Sequence, residues 1–162
     1  MTQLSLTPPV TLDTFDLAIL DILQRDNTTS QREIAQAVHL SAPAVQRRIR
    51  RLRESGVIRH EVAVLDASRV GRPLILTMEV HLHDEHPQRT AGMRARIMAE
   101  PAIQQCYGIT GEADYLLIIT ASSMAEYEAL TERLFGGDDN IRRYRTSVAL
   151  TCLKMGLHVP LG

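Results

Sequence analysis

Residues 30–58 read SQREIAQAVHLSAPAVQRRIRRLRESGVI, and this stretch decides the fold. Ser30 and Glu33 form a capping box, a pair that satisfies backbone N–H groups at the start of a helix. The turn at His39 and Leu40 would end that helix. The stretch therefore predicts one short, capped helix whose buried side chains are Ile34, Ala35 and Val38.

A second capped helix follows the turn. Ser41 is its predicted cap, and Pro43 stands in the first turn, where a missing N–H group costs little. Gly56 supplies the left-handed residue that ends the helix. Two short helices joined by a tight turn are typical of a helix-turn-helix. The apolar stripe at i, i+4 and i+7, which must pack on a neighbour, is Val45, Ile49 and Leu52.

This second helix is strongly basic. Between Ser41 and His60 the chain has six arginines and one acidic residue, Glu54. A duplex is densely anionic, and guanidinium groups that replace its counterions are the main source of non-specific affinity. An isolated run of arginines is more often a solvated helix without a partner. Here the run lies on the helix that a major groove would admit, so the pattern predicts DNA binding.

Several residues at the start and on the basic side of this helix are predicted to contact DNA. Gln46 is the side chain most able to read adenine, and the arginines would divide between guanine and phosphate. Paired helices from a dimer would enter major grooves about one helical turn, ~10 bp, apart or a multiple of it. The predicted DNA contacts are Ser41, Ala44, Gln46, Arg47, Arg48 and Arg51.

The remaining N-terminal residues complete a three-helix, winged or near-winged unit. Asp13 is the predicted cap of a first helix that carries the apolar residues Phe15, Ile19, Ile22 and Leu23. After the second capped helix, the alternation of Val62 and Val64 predicts one strand.

Charge divides the chain of 162 residues into two domains. Residues 1–60 hold eight arginines and six acidic residues, a net charge of +2, whereas residues 61–162 have a net charge of -3. One part is built for an anion and the other is not. The predicted organisation is a flexible tail over 1–10, the helix-turn-helix over 11–60, a strand and linker over 61–73, and an effector-binding and oligomerisation domain over 74–162.

The second domain begins with a change of period. In LILTMEVHLH, residues 74–83, apolar residues alternate with mostly polar ones, as in a half-buried strand. The pattern continues as a helix over 87–100, strands over 103–110 and 114–121, a helix from Ser122 or Ser123 to Gly136, and a strand over 141–153. This βαββαβ order predicts an α+β, ferredoxin-like domain. Its uncovered sheet face predicts homo-oligomerisation.

Composition excludes several classes of protein. No apolar run of membrane-spanning length and no leader is evident, so a cytoplasmic protein without membrane partners is expected. Cys106 and Cys152 have no C-x-x-C spacing and are predicted to be buried, reduced thiols in strands.

No catalytic or metal-binding constellation stands out. G-x-S-x-G, P-loop glycines and a cysteine with a candidate base are all missing, which favours a protein that is not an enzyme and has no cofactor. His81 and His83, with Asp84 and His86 nearby, leave a metal site as an alternative. Exposed histidines at a strand end explain the pattern equally well.

The chain resembles the Lrp/AsnC, or feast/famine, family of prokaryotic transcription regulators. The resemblance spans residues 12–154 and implies DNA binding, a ligand-sensing domain, dimers usually assembled into octamers, and control by a small effector, often an amino acid. The segments that carry it are LDTFDLAILDILQRD, EIAQAVHLSAPAVQRRIRRLRESGVI, YGITGEADYLLII and RTSVAL.

The resemblance also implies an effector site between dimers, against the loop between the second and third strands. Gly111 would permit close approach to backbone N–H groups, and Asp114 would accept from an ammonium group. The alternative is that Gly111 to Asp114 is only a turn. The implied effector residues are Tyr107, Gly108, Ile109, Thr110, Gly111, Asp114, Tyr115, Met124, Gly136, Thr146, Ser147, Val148 and Ala149.

Two rival functions remain open from the sequence. Similar two-domain enzymes act as haem-precursor decarboxylases with His and Arg near the second and third strands, but QQCYGITGEADYLLII contains neither residue. The other rival is an architectural DNA binder without effector control, for which an effector that changes DNA affinity would be the discriminating observation.

Overall fold

The structure, a computed structural model, describes residues 10–161 and divides them into two compact units. Residues 10–63 with 155–161 form the helical unit, and Val64–Lys154 forms the sheet unit. The predicted tail over 1–10 lies, apart from Val10, outside the described residues. The elements in order are α1 Thr14–Arg25, α2 Gln31–Ala37, α3 Ala42–Glu54, β1 Leu74–Leu82, α4 Pro87–Ala99, β2 Ile103–Gly108, β3 Tyr115–Ala121, α5 Met124–Phe135 and β4 Ile141–Val148.

The predicted caps of the helical unit are confirmed. Ser30 and Glu33 exchange side-chain and backbone hydrogen bonds at the start of α2. Asp13 forms a second capping box, with Asp16, at the start of α1. Gly56 follows α3 with φ of 74°, in the left-handed region. The core that these helices enclose is Ile19, Ile34, Ala35, Val38, Val45 and Ile49.

The sheet unit has the predicted βαββαβ order and a four-stranded antiparallel sheet, with strands arranged β2-β3-β1-β4. Met78 of β1 pairs with Leu117 of β3 and with Thr146 of β4, which fixes the register. Leu76, Met78, Val80, Leu117 and Ile119 lie on the face that packs with α4 and α5 in one core. The ferredoxin-like prediction is confirmed.

Two strand predictions were wrong: within residues 10–161, one strand is absent and the other is shorter than predicted. Residues 61–65 contain no strand, and Val64 is 76% exposed. Alternation alone does not make a strand, because backbone N–H and C=O groups need a partner strand. The last strand ends at Val148 instead of 153. Its partner β1 begins at Leu74, and Ala149 N–H already donates to the carbonyl of the next β1 residue, Ile75, so β1 offers no partner for residues further along.

Two predicted environments were also wrong. Cys106 and Cys152 are free thiols, as expected, but both are exposed in the single chain, and Cys152 lies outside the strands. His81 is only 1% exposed, unlike His83, which is exposed as expected for a histidine at a strand end. Periodicity assigns a residue to a face but does not reveal what covers that face.

The C-terminal residues 155–161 group with the helical unit, whereas the sequence pattern places them in the second domain. Gln24 of α1 explains this grouping. Its side-chain N–H donates to the Val159 carbonyl at 3.1 Å, and Val159 N–H donates back to its side-chain oxygen at 2.7 Å. The side-chain amide of Gln24 thus satisfies both backbone polar groups of Val159.

Glu126 is expected to make the sheet unit sensitive to acid. Hydrogen bonds from Ser122 and then from Arg72 lower the pKa of Glu126 from 4.5 to about 2. A lowered pKa stabilises the fold above pH 4.5, and this contribution is lost as the pH falls toward 2. Urea unfolding followed by tyrosine fluorescence should therefore show that Glu126→Gln flattens the loss of stability over this interval. An unchanged slope would contradict the assignment.

Candidate nucleic-acid interface and effector loop

α3 places its residues on three distinct sides. Val45, Ile49 and Leu52 are buried, and Leu52 is fully shielded from solvent. The helix advances 100° per residue, so position 47 points away from this buried stripe, position 48 lies beside it, and positions 50 and 51 point outward on opposite flanks. The arginines of one helix therefore have different surroundings.

Arg48 connects α3 to the start of α1. Its Nη1 donates to Asp13 Oδ2 and to Asp16 Oδ1, each at 2.8 Å. The guanidinium also lies over the Phe15 ring, 5.4 Å from its centroid. The hydrogen bond from the Asp16 backbone N–H has the largest effect in lowering the pKa of Asp13, and the hydrogen bond from Arg48 lowers it further. Only 22% of the Arg48 side chain is exposed.

Asp16 lies at the centre of this network. Its side chain is 1% exposed and accepts from both Arg48 and Arg51. A carboxylate withdrawn from water needs such partners, because burying an unpaired charge is unfavourable. Arg48 and Arg51 are among the predicted DNA contacts, and the structure gives both a structural role. Their DNA contacts stay predictions.

Arg47, Arg50 and Gln46 have no such engagement. All three are exposed and have no hydrogen-bond or ion-pair partner among residues 10–161. Arg53, by contrast, binds both oxygens of Glu61, at 2.7 and 2.9 Å. The exposed, unpaired guanidinium groups are the ones that can contact phosphate without first losing a partner.

The other predicted DNA contacts lie at the start of α3. Ser41 Oγ accepts from Ala44 N–H at 3.4 Å, and Ala44 is half-buried. Arg50 is missing from the contacts predicted from sequence, although its position about 130° from the centre of the buried stripe was sufficient to find it. The structural role of Asp16 was not predicted either, because its partners are more than 30 positions away in the chain.

The loop between β2 and β3 is tied to the end of β1. Ile109 N–H donates to the Asp114 carbonyl at 3.0 Å, and Asp114 N–H donates to the Val80 carbonyl at 2.9 Å. Leu82 N–H donates to Asp114 Oδ2 at 2.7 Å. Gly111 has φ of 128°, which favours glycine, although a Cβ atom at this position would have no heavy atom within 4 Å beyond the neighbouring residues.

Asp114 is thus partly engaged inside its own chain, and its role as an acceptor for an ammonium group stays a prediction. Its carboxyl group also lies near Glu85, and this proximity raises the pKa of Glu85. Both carboxyl groups remain close to the loop. The turn alternative explains much of what Asp114 does, since its side chain fixes the loop to β1.

The remaining predicted effector residues do not all come together in one chain. Loop residues 107–115 lie beside the Val80–Leu82 end of β1, and Gly136 shortly precedes β4 at that end. Met124, Val148 and Ala149 lie toward the Leu74 end. Six residues of strand separate the two ends by about 20 Å. One effector site that includes both groups would therefore require more than one chain.

Two of the predicted residues have structural explanations. A Cβ atom on Gly136 would approach the Glu132 carbonyl oxygen to 2.5 Å, so glycine is required by the end of α5. The Thr146 hydroxyl is hydrogen-bonded to the Tyr127 hydroxyl of α5. Tyr107 and Ser147 belong instead to the uncovered face, where Tyr107 donates to Gln105 at 3.0 Å.

The metal alternative receives no support from the two histidines. His81 Nδ1 lies 2.8 Å from the Glu112 carbonyl oxygen, while His83 is exposed. Over residues 10–161, no three His, Cys, Asp or Glu side chains lie close enough together to hold an ion. In the same residues, every helix is too short or too polar to span a bilayer.

Comparison with known proteins identifies both units. Residues 12–59 match the winged helix-turn-helix DNA-binding family, and residues 76–158 match the Lrp/AsnC ligand binding domain. A leucine-responsive regulatory protein of Rhizobium meliloti is 31% identical over 152 residues, which cover 94% of this chain and 97% of that protein. The chain belongs to the Lrp/AsnC family of transcription regulators. The family is not enzymatic, so the decarboxylase alternative is excluded.

Two further transcription regulators are similar to the chain. An uncharacterized HTH-type transcriptional regulator of Sinorhizobium fredii is 35% identical over 150 residues, which cover 93% of this chain and 89% of that protein. The crystal structure of a Neisseria meningitidis regulator in complex with L-methionine superposes with a TM-score of 0.85 at 25% identity, covering 93% of this chain and 97% of that one.

Proposed function

We propose that this DNA-binding transcription regulator reads specific sites with α3, and that an amino-acid effector bound at the β2–β3 loop changes its DNA affinity. The observation that supports the DNA part is that Arg47 and Arg50 of the capped helix α3 are exposed and have no partner among the residues that the structure describes. The resemblance of the sheet unit to a ligand-binding domain carries the effector part.

The contacts with DNA divide between positioning and reading. Arg47 and Arg50 project from the side of α3 opposite its buried stripe and would bind phosphate or guanine. Gln46 would read a base edge next to them. Ser41 and Ala44 would lie close to the DNA backbone, since they begin the helix. Arg48 and Arg51 would act through the orientation of α3 on α1.

An amino acid is the effector class that the family relationship favours. The Neisseria meningitidis regulator was crystallised with L-methionine, and its chain covers almost the full length of this one. The β2–β3 loop offers exposed backbone at Gly111 and the carboxyl group of Asp114, and Glu85, between β1 and α4, adds a second carboxyl group beside it.

Dimers are proposed because the sheet face opposite α4 and α5 is uncovered. Ile75, Leu116 and Ile118 are half-buried on that face, with Tyr107 exposed beside them. A second copy would bury these side chains and place two α3 helices in successive major grooves. Assembly into an octamer, a tetramer of dimers, would bring the two ends of different sheets together into the effector site.

The test is DNA binding with and without effector. Sites are selected from random duplexes, and fluorescence anisotropy then measures affinity in the presence of each of the twenty amino acids. We expect at least one amino acid to change the affinity by about 5-fold to 150-fold, the usual range of coupling between sites. Thermal shift of the same protein reports whether that amino acid also stabilises the fold.

The outcomes separate the possible regulators. Selection of no sequence, together with bending of any duplex, would favour an architectural DNA binder instead. Site-specific binding that no amino acid alters would refute the amino-acid effector and leave the DNA-reading part intact. The double variant Arg47→Ala, Arg50→Ala is the negative control for the selection.

A further inference from the structure

His81 has one ring nitrogen without a partner in the part of the chain that the structure describes. The side chain is 1% exposed, and Nε2 is buried with no hydrogen bond. Nδ1 lies 2.8 Å from the Glu112 carbonyl oxygen. A carbonyl only accepts, so Nδ1 carries a hydrogen, and in the tautomer with this single ring hydrogen Nε2 presents a bare lone pair.

A buried acceptor without a donor is unfavourable, and folded proteins rarely keep one. The ring lies under the β2–β3 loop, since the contact at Glu112 is in the middle of that loop. The free lone pair of His81 is therefore located where the loop meets the sheet, at the end of β1. A hydrogen-bond donor from outside the chain could reach this lone pair at that position.

Arg143 lies directly beside His81 on the same sheet face. The two are paired residues of the antiparallel strands β1 and β4, which places their Cβ atoms about 5 Å apart. Arg143 is exposed and has no hydrogen bond or ion pair with any residue between 10 and 161. An acceptor and an unpaired cation therefore lie next to each other at the rim of the uncovered face.

We propose that His81 and Arg143 bind the two charged ends of an amino-acid effector, with the ammonium group donating to His81 Nε2 and the carboxylate held by Arg143. The two side chains leave neighbouring positions of the sheet, and in an α-amino acid the ammonium and carboxylate groups are attached to the same carbon atom. This inference rests on the proposed function and names residues of the same site. Because Nε2 is covered, the loop segment at Glu112 shifts when the ligand enters, which connects occupancy to loop position.

Two substitutions at His81 separate ligand binding from loop anchoring. Asparagine places its amide nitrogen near the position of Nδ1, so His81→Asn keeps a donor for the Glu112 carbonyl and removes Nε2. Glutamine reaches the position of Nε2 with an acceptor oxygen, so His81→Gln keeps the ligand contact and removes the anchor. If Nε2 contacts the ligand, His81→Gln should bind the ligand more tightly than His81→Asn. If His81 only anchors the loop, His81→Asn should bind it more tightly.

The experiment titrates the full chain and both variants with each of the twenty amino acids by calorimetry. For an amino acid that binds wild type, we expect His81→Asn to weaken binding by about tenfold or more. The preference of wild type for the amino acid over its 2-oxo analogue should shrink in the same variant. Arg143→Gln should remove the preference for the acid over its amide.

The possible outcomes of the titration separate the role of His81 from the existence of an amino-acid effector. Binding that is equal in wild type and His81→Asn, or weaker in His81→Gln than in His81→Asn, overturns this inference and leaves an amino-acid effector in place. Failure of every amino acid to bind wild type refutes the effector itself. Thermal unfolding of both variants, expected to resemble wild type, shows that lost affinity is not lost folding.

Discussion

Replacing Asp16 with asparagine is expected to lower the free energy of unfolding of the helical unit by about 2–3 kcal/mol. The Asp16 carboxylate is buried and accepts from Arg48 at 2.8 Å and from Arg51. Removing one member of a buried pair leaves the other charge uncompensated. Breaking a fully buried ion pair would lower the stability further. The effect here is smaller because Arg51 is half-exposed and Arg48 keeps Asp13 as a partner.

The chain supplies separate probes for its two units. All four tyrosines, Tyr107, Tyr115, Tyr127 and Tyr144, belong to the sheet unit. Tyrosine fluorescence therefore follows the sheet unit, while circular dichroism also follows α1 to α3. Asp16→Asn should move the dichroism transition to lower urea and leave the fluorescence transition in place.

Asp21→Asn is the matched control on the same helix. Asp21 pairs with Arg25 at i, i+4 on the surface, where such a pair contributes only a few tenths of a kcal/mol. An Asp16→Asn protein that unfolds like the Asp21→Asn protein would show that the buried network does not stabilise the helical unit.

Local features of the fold were readable from the sequence. The capping boxes, the end of α3 at Gly56 and the alternation of β1 depend on residues at most four positions apart. Such signals are independent of how distant elements pack. This is why the element order and the ferredoxin-like domain could be predicted correctly without knowledge of any tertiary contact.

The features that could not be read from the sequence involve distant partners. Val62 and Val64 alternate as in a strand, but no described segment pairs with them. The engagement of Arg48 with Asp13 links residues 35 positions apart and depends on how α3 crosses α1. Burial of His81 depends on a loop 31 positions further along the chain. The candidate site was therefore located by resemblance, while the state of each side chain required the structure.

The double variant Arg47→Ala, Arg50→Ala is expected to weaken DNA binding by at least about 2 kcal/mol, roughly thirtyfold in Kd. Both guanidinium groups are exposed, and neither has a partner among residues 10–161 that its removal would leave unpaired. Stability should accordingly remain close to that of wild type. If each arginine contacts one phosphate, the slope of log Kd against log salt should fall by about 2.

Arg48→Ala is the matched comparison on the same helix. The sequence suggests a loss of about 1–3 kcal/mol in DNA binding if Arg48 contacts a base, whereas the structure engages its guanidinium with Asp13 and Asp16. We therefore expect Arg48→Ala to lower stability and to leave the salt slope unchanged. Salt weakens a contact with phosphate directly, whereas it does not report the structural role in the same way. If Arg48→Ala reduced the salt slope while the double variant did not, Arg48 would be the phosphate contact instead of Arg47 and Arg50.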